Sequence, residues 1–423
     1  MFENNLAFAQ KQDQADPLKK FRDEFHFPQT KDGQNQLYFA GHSLGLMPKR
    51  AHTFVNQELS SWAQYGVEGH FLGSHPWVHY HDFITASFAK LVGAKNSEVI
   101  AMNTLTVNLH LMLVSFYRPT QERFKILIEN NTFPSDKYAV DSQARYHARY
   151  NGFNPKDAII ELTPGADGMT VSEDSIIETI NKHGKELSVI MLGNCNYLSG
   201  QKFNMQRIVE AGHKVGAVVG FNLAHGAGNL HMSLHDWNVD FAMWCTYKYI
   251  NSGPGGLAGA YVHEKHLNQK NIPRFEGWWG HNKESRFKMG PDFEPLPTAE
   301  AWQLSNPPIF QLASLRASME LFDEAGIKNL REKGDKLTSY FEWLIQQNLS
   351  DQVDIITPKE RGSMLCLKFK TSPKSWFDKM IHAGAIVDFR EPYIIRATPV
   401  PMYNSFEDVF RLVNLLKEFS TGK

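Results

Sequence analysis

VVGFNLAHGAGNLHMSLHDWNVDFAMWCTYKYINSGPGG, residues 218–256, decides the fold class of this chain. Two apolar runs inside it, Ala217 to Phe221 and Phe241 to Cys245, have the length and composition of strands buried on both faces of a parallel sheet. Each run stops at polar residues, the first at Asn222 and His225, the second at Tyr247 and Lys248. Such a sheet opens its ligand crevice at the carboxyl ends of its strands. Asn-Ser-Gly-Pro-Gly-Gly (251–256) then forms a loop that lets backbone approach a ligand closely. A lysine at a strand end, walled by aromatics and glycines, suits a nucleophilic amine, because desolvation lowers its pKa. The alternative for any single lysine is a solvated surface cation.

Outward from this stretch the same grammar repeats. RFKILIEN (123–130) and LSVIMLGNCNY (187–197) read as further strands, and QRIVEAGHKVG (206–216) as an amphipathic helix. Strands alternating with helices imply right-handed crossovers and one crevice at the strand ends. Thr106, Phe133, Asp136, Asn222, His225 and Lys248 can therefore converge although they lie far apart in sequence. NTLTVNLHLMLVSFY (103–117) predicts a helix with Thr104 and Thr106 in its first turn, either an anion site or an ordinary cap. LYFAGHSLGLMPKR (37–50) predicts a short strand and a turn that offers the Ser43 hydroxyl. Past residue 311 the pattern becomes amphipathic helices around the strand SMLCLKFK, a small α+β unit. There Arg396 ends a strand, placed either to clamp a carboxylate or to form a surface ion pair.

Composition narrows the function. The 423 residues carry a net charge of −1, which argues against a nucleic-acid partner. No apolar run is long enough to span a bilayer, and the first residues lack a basic, then apolar leader, so the expected location is cytoplasmic. Cys195, Cys245 and Cys366 are far apart and odd in number, which points to thiols in a reducing compartment. His70, His75, His79 and His81 raise a zinc reading, but Gly73 and Pro76 interrupt them and no cysteine or glutamate completes a ligand spacing. The expectation is no metal and an aromatic, His-rich pocket wall.

Seven motifs in order resemble the kynureninase family: LTVNLHLML (105–113), FPSDKYA (133–139), LAHGAGN (223–229), LHDWNVDFAMWCTYKYINSGPGG (234–256), GWWGH (277–281), LSNPPI (304–309) and RATPVPMYNSF (396–406). The resemblance implies a fold type I pyridoxal-phosphate enzyme, α/β, with a mostly parallel seven-stranded sheet and a small α+β C-terminal domain. It implies three parts: residues 1–45 packing on the small domain, 46–310 holding pyridoxal 5'-phosphate, and 311–423 as the small domain. The implied reaction is hydrolysis of L-kynurenine or 3-hydroxy-L-kynurenine to an anthranilate and L-alanine, in a homodimer with active sites at the subunit interface.

Carried onto this chain, the resemblance makes Lys248 the cofactor's attachment point and proton carrier, with Tyr247 assisting. Leu105, Thr106 and Tyr247 would bind the phosphate, and Phe133 and His225 would flank the ring within a site that also includes Pro134, Ser135 and Asp136. Trp278 and Asn306 would reach a neighbouring subunit's site, Arg396 would take the substrate carboxylate with Ser43 nearby, and His70, Ser305 and Asn306 would face its aromatic ring. Three residues depart from the family pattern. Asn222 stands where an aspartate bonds the pyridine nitrogen, His42 where asparagine is usual, and Leu198 where an aromatic precedes Ser-Gly-Gln. Asn222 keeps two other readings in view: a related enzyme acting on another amino acid, or a weakly active cofactor-binding protein. Asp136 is the carboxylate that could compensate, and Asn222→Asp is expected to raise the rate.

Overall fold

The computed structural model describes residues 1–269 and 271–420. Its main layer is a seven-stranded sheet. The strands are β1 (Val99–Ala101), β2 (Lys125–Ile128), β3 (Ile159–Glu161), β4 (Leu187–Gly193), β5 (Val218–Asn222), β6 (Phe241–Trp244) and β7 (Gly259–Val262). They lie side by side in the order β1-β7-β6-β5-β4-β2-β3. Only β7 runs against its neighbours; the β6-β5-β4-β2-β3 pairings are all parallel. The two runs read from sequence as parallel strands are β5 and β6, paired at the centre with Phe221 beside Ala242. They are apolar throughout because helices cover both faces: Phe116 stacks on Phe241 at 4.7 Å, while Phe88 meets Trp244 edge-on at 5.2 Å. Gly220 has no side chain because a Cβ there would collide with the Phe241 ring.

Three sequence-to-structure details position the crevice. The helix carrying Thr106 spans Leu105–Phe116, and its N-cap, Thr104, makes no side-chain cap bond, so the first-turn N–H groups stay available. The helix after β2, Pro134–Asn151, places Pro134 in its first turn, where a missing N–H is harmless. The third is a second, antiparallel sheet made of β8 (Val353–Ile355), β9 (Leu365–Phe369), β10 (Asp388–Arg390) and β11 (Ile394–Ala397), ordered β8-β9-β11-β10. The N-terminal segment, which contains an α-helix (Leu6–Ala15) that its weak periodicity did not announce, ties the two sheets together. Leu37–Tyr38 pairs in parallel with Ala385–Ile386, the Phe39 carbonyl accepts from Thr398 N–H at 2.8 Å, and Gly45 N–H donates to the Tyr247 carbonyl at 2.8 Å. At Gly45 a Cβ would strike the Lys248 carbonyl and the Asn251 side chain, so the close approach needs glycine.

The border expected near residue 311 falls inside the helix Ile309–Ala325, whose Leu312, Leu315 and Leu321 pack in the core of the large sheet. The core of the small sheet takes up the chain from Leu337.

Asp240 ties down the opposite end of the central strands, away from the crevice. Its carboxylate accepts from Val219 N–H at 2.7 Å, His213 Nε2 at 2.8 Å and His266 Nε2 at 2.8 Å, with Lys265 Nζ also at 2.7 Å. Burial by itself would raise this carboxyl, yet those partners hold it far below the usual carboxylate range. Asp240→Ala strands four cationic or N–H groups and is expected to cost roughly 3 kcal/mol, read as a lower thermal midpoint at pH 7. A depressed folded pKa stabilises above the unfolded value and the benefit fades as pH falls, so the gap between the two proteins narrows below about pH 4. A gap that stays unchanged well below about pH 4 would refute the assignment.

Candidate active site

The carboxyl ends of β2, β4, β5 and β6 open into one cleft. Its floor is Lys248, whose Nζ lies 3.1 Å from His225 Nε2 and 5.8 Å from the centroid of the Phe133 ring. Burial lowers the Lys248 pKa, and the nearby Arg396 cation pushes it the same way, while Cys245 and Asp136 oppose them. His225 is buried with Nδ1 unpartnered, and burial together with Lys248 keeps it neutral, well below its ordinary pKa. Tyr247 also lines the cleft, its hydroxyl pushed up to about 12 by burial and by Cys245.

Two helix N-termini meet on one side. Thr104, Leu105 and Thr106 come from one helix and Ser135 from the other, with Thr106 Oγ1 3.4 Å from Ser135 Oγ. Paired hydroxyls over two helix starts suit an anion. At another part of the wall Asn222 Nδ2 donates to Asp136 Oδ2 at 2.6 Å, and Asn222 Oδ1 accepts from Ala224 N–H at 2.9 Å. Both ends of the Asn222 amide are thus spent on the protein, whereas Asp136 keeps its other oxygen for the cleft. Burial pushes the Asp136 carboxyl up to about 6, against the bond from Asn222 and the Lys248 charge.

An aromatic ring with a phosphate on one substituent and a protonatable nitrogen opposite fits this donor set: an anion cradle, a buried amine for its aldehyde carbon, and a carboxylate oxygen with no protein partner. Pyridoxal phosphate has that chemistry.

The cleft gathers most of the residues singled out from sequence, and leaves others out. Leu105, Thr106, Phe133, Ser135, Asp136, Asn222, His225, Tyr247 and Lys248 all line it, and Pro134 lies in the helix turn between two of them. Arg396 is buried just behind the wall: Nη1 donates to the carbonyl of Tyr197, a cleft residue, and Nε to Asp388 Oδ1 at 2.9 Å. Ser43 is exposed in the turn that Gly45 anchors to Tyr247, and does not line the cleft. His70, Trp278, Ser305 and Asn306 lie outside it as well, the last two exposed and Trp278 46% exposed.

Sequence reasoning passed over Glu129 and Tyr197. Glu129 sits one residue beyond β2, the same strand-end signal that marked Asn222, and is buried at the cleft wall. It accepts from Gly193 N–H and from Asn196 Nδ2 at 2.6 Å, and burial pushes it up to about 7 against those bonds. Glu129 thereby holds the loop that carries Tyr197, whose ring meets Phe133 edge-on at 5.4 Å. Where the family has an aromatic at position 198, this chain has Leu198, and the cleft aromatic is the preceding residue.

Comparison with known proteins accords with this geometry. A family model described as the kynureninase C-terminal domain matches residues 330–416. A protein named kynureninase from Myxococcus xanthus is 54% identical over 99% of this chain and 98% of its own length. A kynureninase from Koribacter versatilis is 50% identical over 97% of both, and one from Nematostella vectensis 44% identical over 97% of this chain and 92% of its own. Among solved structures, a C-DES mutant with glycine covalently linked to its PLP cofactor superposes with a TM-score of 0.76 at 16% identity, covering 94% of this chain and 99% of that one. The cysteine desulfurase CsdA from Escherichia coli gives 0.76 at 17%, covering 96% and 98%. Those two likenesses establish the fold, a fold type I pyridoxal-phosphate architecture. On the near full-length identity to its relatives, the chain belongs to the kynureninase family.

Proposed function

We propose that this chain hydrolyses the Cβ–Cγ bond of L-kynurenine or 3-hydroxy-L-kynurenine, giving an anthranilate and L-alanine, with pyridoxal 5'-phosphate bound at Lys248. The observation that carries the reading is the half-buried Lys248 amine, 3.1 Å from a neutral histidine, in a cleft with an anion cradle on one side and an open carboxylate oxygen elsewhere. Bound pyridoxal phosphate supplies an electron sink for the substrate's Cα and Cβ. Everything else is work for the protein's own groups.

Leu105, Thr106 and Ser135, with Tyr247, bind the phosphate through N–H and O–H donors at two positive helix ends. Phe133 and His225 would flank the ring, and Asp136 Oδ1 would accept the ring N–H. Asn222 suits that last role less, because its amide oxygen already accepts from Ala224 N–H and, being neutral, offers the ring N–H no charge. The Lys248 amine, whose pKa burial lowers, takes the substrate's Cα proton and returns it. Tyr247 relays protons beside it, and Arg396 receives the substrate carboxylate with Ser43 nearby.

The residues left out of the cleft belong, in this proposal, to a second copy. Phe71 is 56% exposed and Phe287 49%, their rings 5.7 Å apart; Phe287 meets Trp278 at 5.5 Å and Phe71 meets His70 at 6.3 Å. A connected aromatic surface of this kind marks a protein interface. A homodimer would cover it and bring His70, Trp278, Ser305 and Asn306 to the partner's cleft. The proposal extends to a cytoplasmic location: the three cysteines are buried and free, and no helix among the described residues is long and apolar enough to cross a membrane.

The direct test is addition of L-kynurenine and 3-hydroxy-L-kynurenine, separately, to the purified protein loaded with pyridoxal phosphate. Fluorescent anthranilate from at least one is expected, and Lys248→Ala should abolish both the product and the cofactor's visible band. Cofactor binding with neither substrate consumed would defeat the reading.

A second test separates the two polar residues at the ring nitrogen. Asp136→Asn removes the open carboxylate and should lower kcat about tenfold or more, the size of one charge-assisted hydrogen bond. Asn222→Asp should raise kcat, by a far smaller factor. A larger response at position 222 than at 136 would put the ring nitrogen on Asn222 instead.

Light scattering tests the assembly. The native protein is expected at twice the 48.3 kDa chain mass. The pair Phe71→Asp and Phe287→Asp should give a folded monomer without turnover, and a monomeric native protein with full activity would contradict the shared-site arrangement.

A further inference from the structure

Arg396 is more constrained than a lone carboxylate clamp requires. Its guanidinium is 2% exposed in side-chain terms, and its N–H bonds are divided among specific partners. Nε donates to Asp388 Oδ1 at 2.9 Å and Nη2 lies 2.8 Å from the same oxygen, so Asp388 occupies the Nε–Nη2 edge. Nη1 donates to the Tyr197 carbonyl, on the loop that lines the cleft. What remains is one N–H on each of Nη1 and Nη2, and these two can lie parallel on the outer edge of the fork. Parallel N–H bonds on one guanidinium edge are the geometry that grips a carboxylate with two hydrogen bonds.

Charge leads to the same place. Asp388 also pairs with Arg390 Nε at 2.9 Å, through the oxygen it offers to Arg396. Two guanidinium cations share one carboxylate, which leaves this trio one positive charge in excess, matched by a single substrate carboxylate. β10, which carries Asp388 and Arg390, pairs antiparallel with β11, and the register sets Asp388 directly opposite Arg396. The sheet thus fixes the pairing before any ligand arrives.

We propose that Asp388 is the positioning residue of the carboxylate site: it locks the Arg396 guanidinium plane so that the outer edge, not the Nε edge, receives the substrate carboxylate. The inference rests on Arg396 being the carboxylate site of the proposed reaction. Asp388 does not touch substrate and acts only through Arg396. Removing it lets the fork turn about its long stem, and a carboxylate ligand then has to order the arginine as it binds.

The test uses the holoenzyme and three proteins: native, Asp388→Asn and Asp388→Glu. With the native enzyme, turnover of L-kynurenine and binding of L-alanine, read from the cofactor's absorption band, are measured first. Failure of both defeats the functional reading itself, whatever the variants do. Given native activity, Asp388→Asn should raise the KM for kynurenine about tenfold with kcat much less affected, and weaken L-alanine by a similar factor. L-Alaninamide, which has no carboxylate, should bind the native protein and the variant alike, a difference that a general structural lesion would not produce. Asp388→Glu should recover part of the lost affinity, since it restores the charge on a longer stem. Equal weakening of L-alanine and L-alaninamide, or an unchanged KM, would overturn the proposal. So would a lowered KM, which would make Asp388 an occupant that the substrate has to displace.

Discussion

A free amine can be a nucleophile at neutral pH only where its charged form is disfavoured, and disfavouring it means burying it without a strong anionic partner. Lys248 meets that condition by its position on the chain. It follows the fully buried strand β6, so the strand carries the lysine stem into the protein and releases the amine at the sheet's open end. Its contact is a neutral histidine, not a carboxylate, and the cation of Arg396 adds to the desolvation. The rest of the cleft follows from this constraint. Carboxylates close enough to shape the site, Asp136 and Glu129, are held by Asn222, Asn196 and Gly193 and form no ion pair with the amine. A direct Lys–carboxylate bond would hold the amine charged and defeat its use.

The central strands, the crevice and seven of the nine cleft-lining residues were legible in the sequence because each depends on short-range pattern; Leu105 and Ser135 came only from the family resemblance. A short run apolar on both faces, bounded by turn signals, marks a covered strand, and polar residues just past its end are candidates for the crevice, although Asn194 and Thr246 turn away from it. Asn222, Phe133, Asp136 and Lys248 were found by that rule. Glu129 obeys it equally, and was passed over because the polar run after β2 draws attention to Phe133 and Asp136 further on. His70, Trp278, Ser305 and Asn306 illustrate a different limit. Their places outside the cleft have no periodic signature, and only the family resemblance gave them roles, Trp278 and Asn306 at a neighbour's site and His70, Ser305 and Asn306 facing the substrate's ring. Arg396 fell between the two cases: its strand end was legible, but its bond to Asp388 depends on the register of β10 against β11, which no local pattern encodes. The N-terminal helix escaped notice because Leu6–Ala15 has too few apolar residues to announce a face.

Because the small sheet reaches the cleft through side chains and turns, the two cores are coupled at the site itself. Arg396 bonds Tyr197 of the large layer, Thr398 bonds His42, and Gly45 bonds Tyr247. Two of these bonds end on residues that line the cleft, Tyr197 and Tyr247, and the third holds His42, whose ring lies 6.5 Å from that of His225. A displacement of the small sheet would therefore move the arginine and the 40–45 turn together, which gives the otherwise polar N-terminal segment a mechanical reason to thread between the layers.

Two of the three departures from the family pattern read in the sequence, His42 and Asn222, differ in kind. His42 is buried, its Nδ1 2.8 Å from Thr398 Oγ1 and its ring 6.5 Å from that of His225. Burial, reinforced by Arg396 and Lys248, keeps it neutral, well below the ordinary histidine pKa. Exchanging an asparagine for a neutral imidazole alters volume and hydrogen bonding but leaves the charge of the site unchanged. Asn222, where the family resemblance leads to an aspartate, takes a full negative charge from the end of β5 and, by donating to Asp136, directs the remaining carboxylate. An amide also avoids what two carboxylates at 2.6 Å would face, since like charges so close cannot both stay ionised and must share a proton. With asparagine at 222 that rivalry is absent, and whatever ionisation Asp136 keeps is available to the cofactor alone. The substitution thus exchanges a stronger, shared anion for a weaker but undivided one, and under the proposed function the ring would depend on a single side chain at the start of a helix.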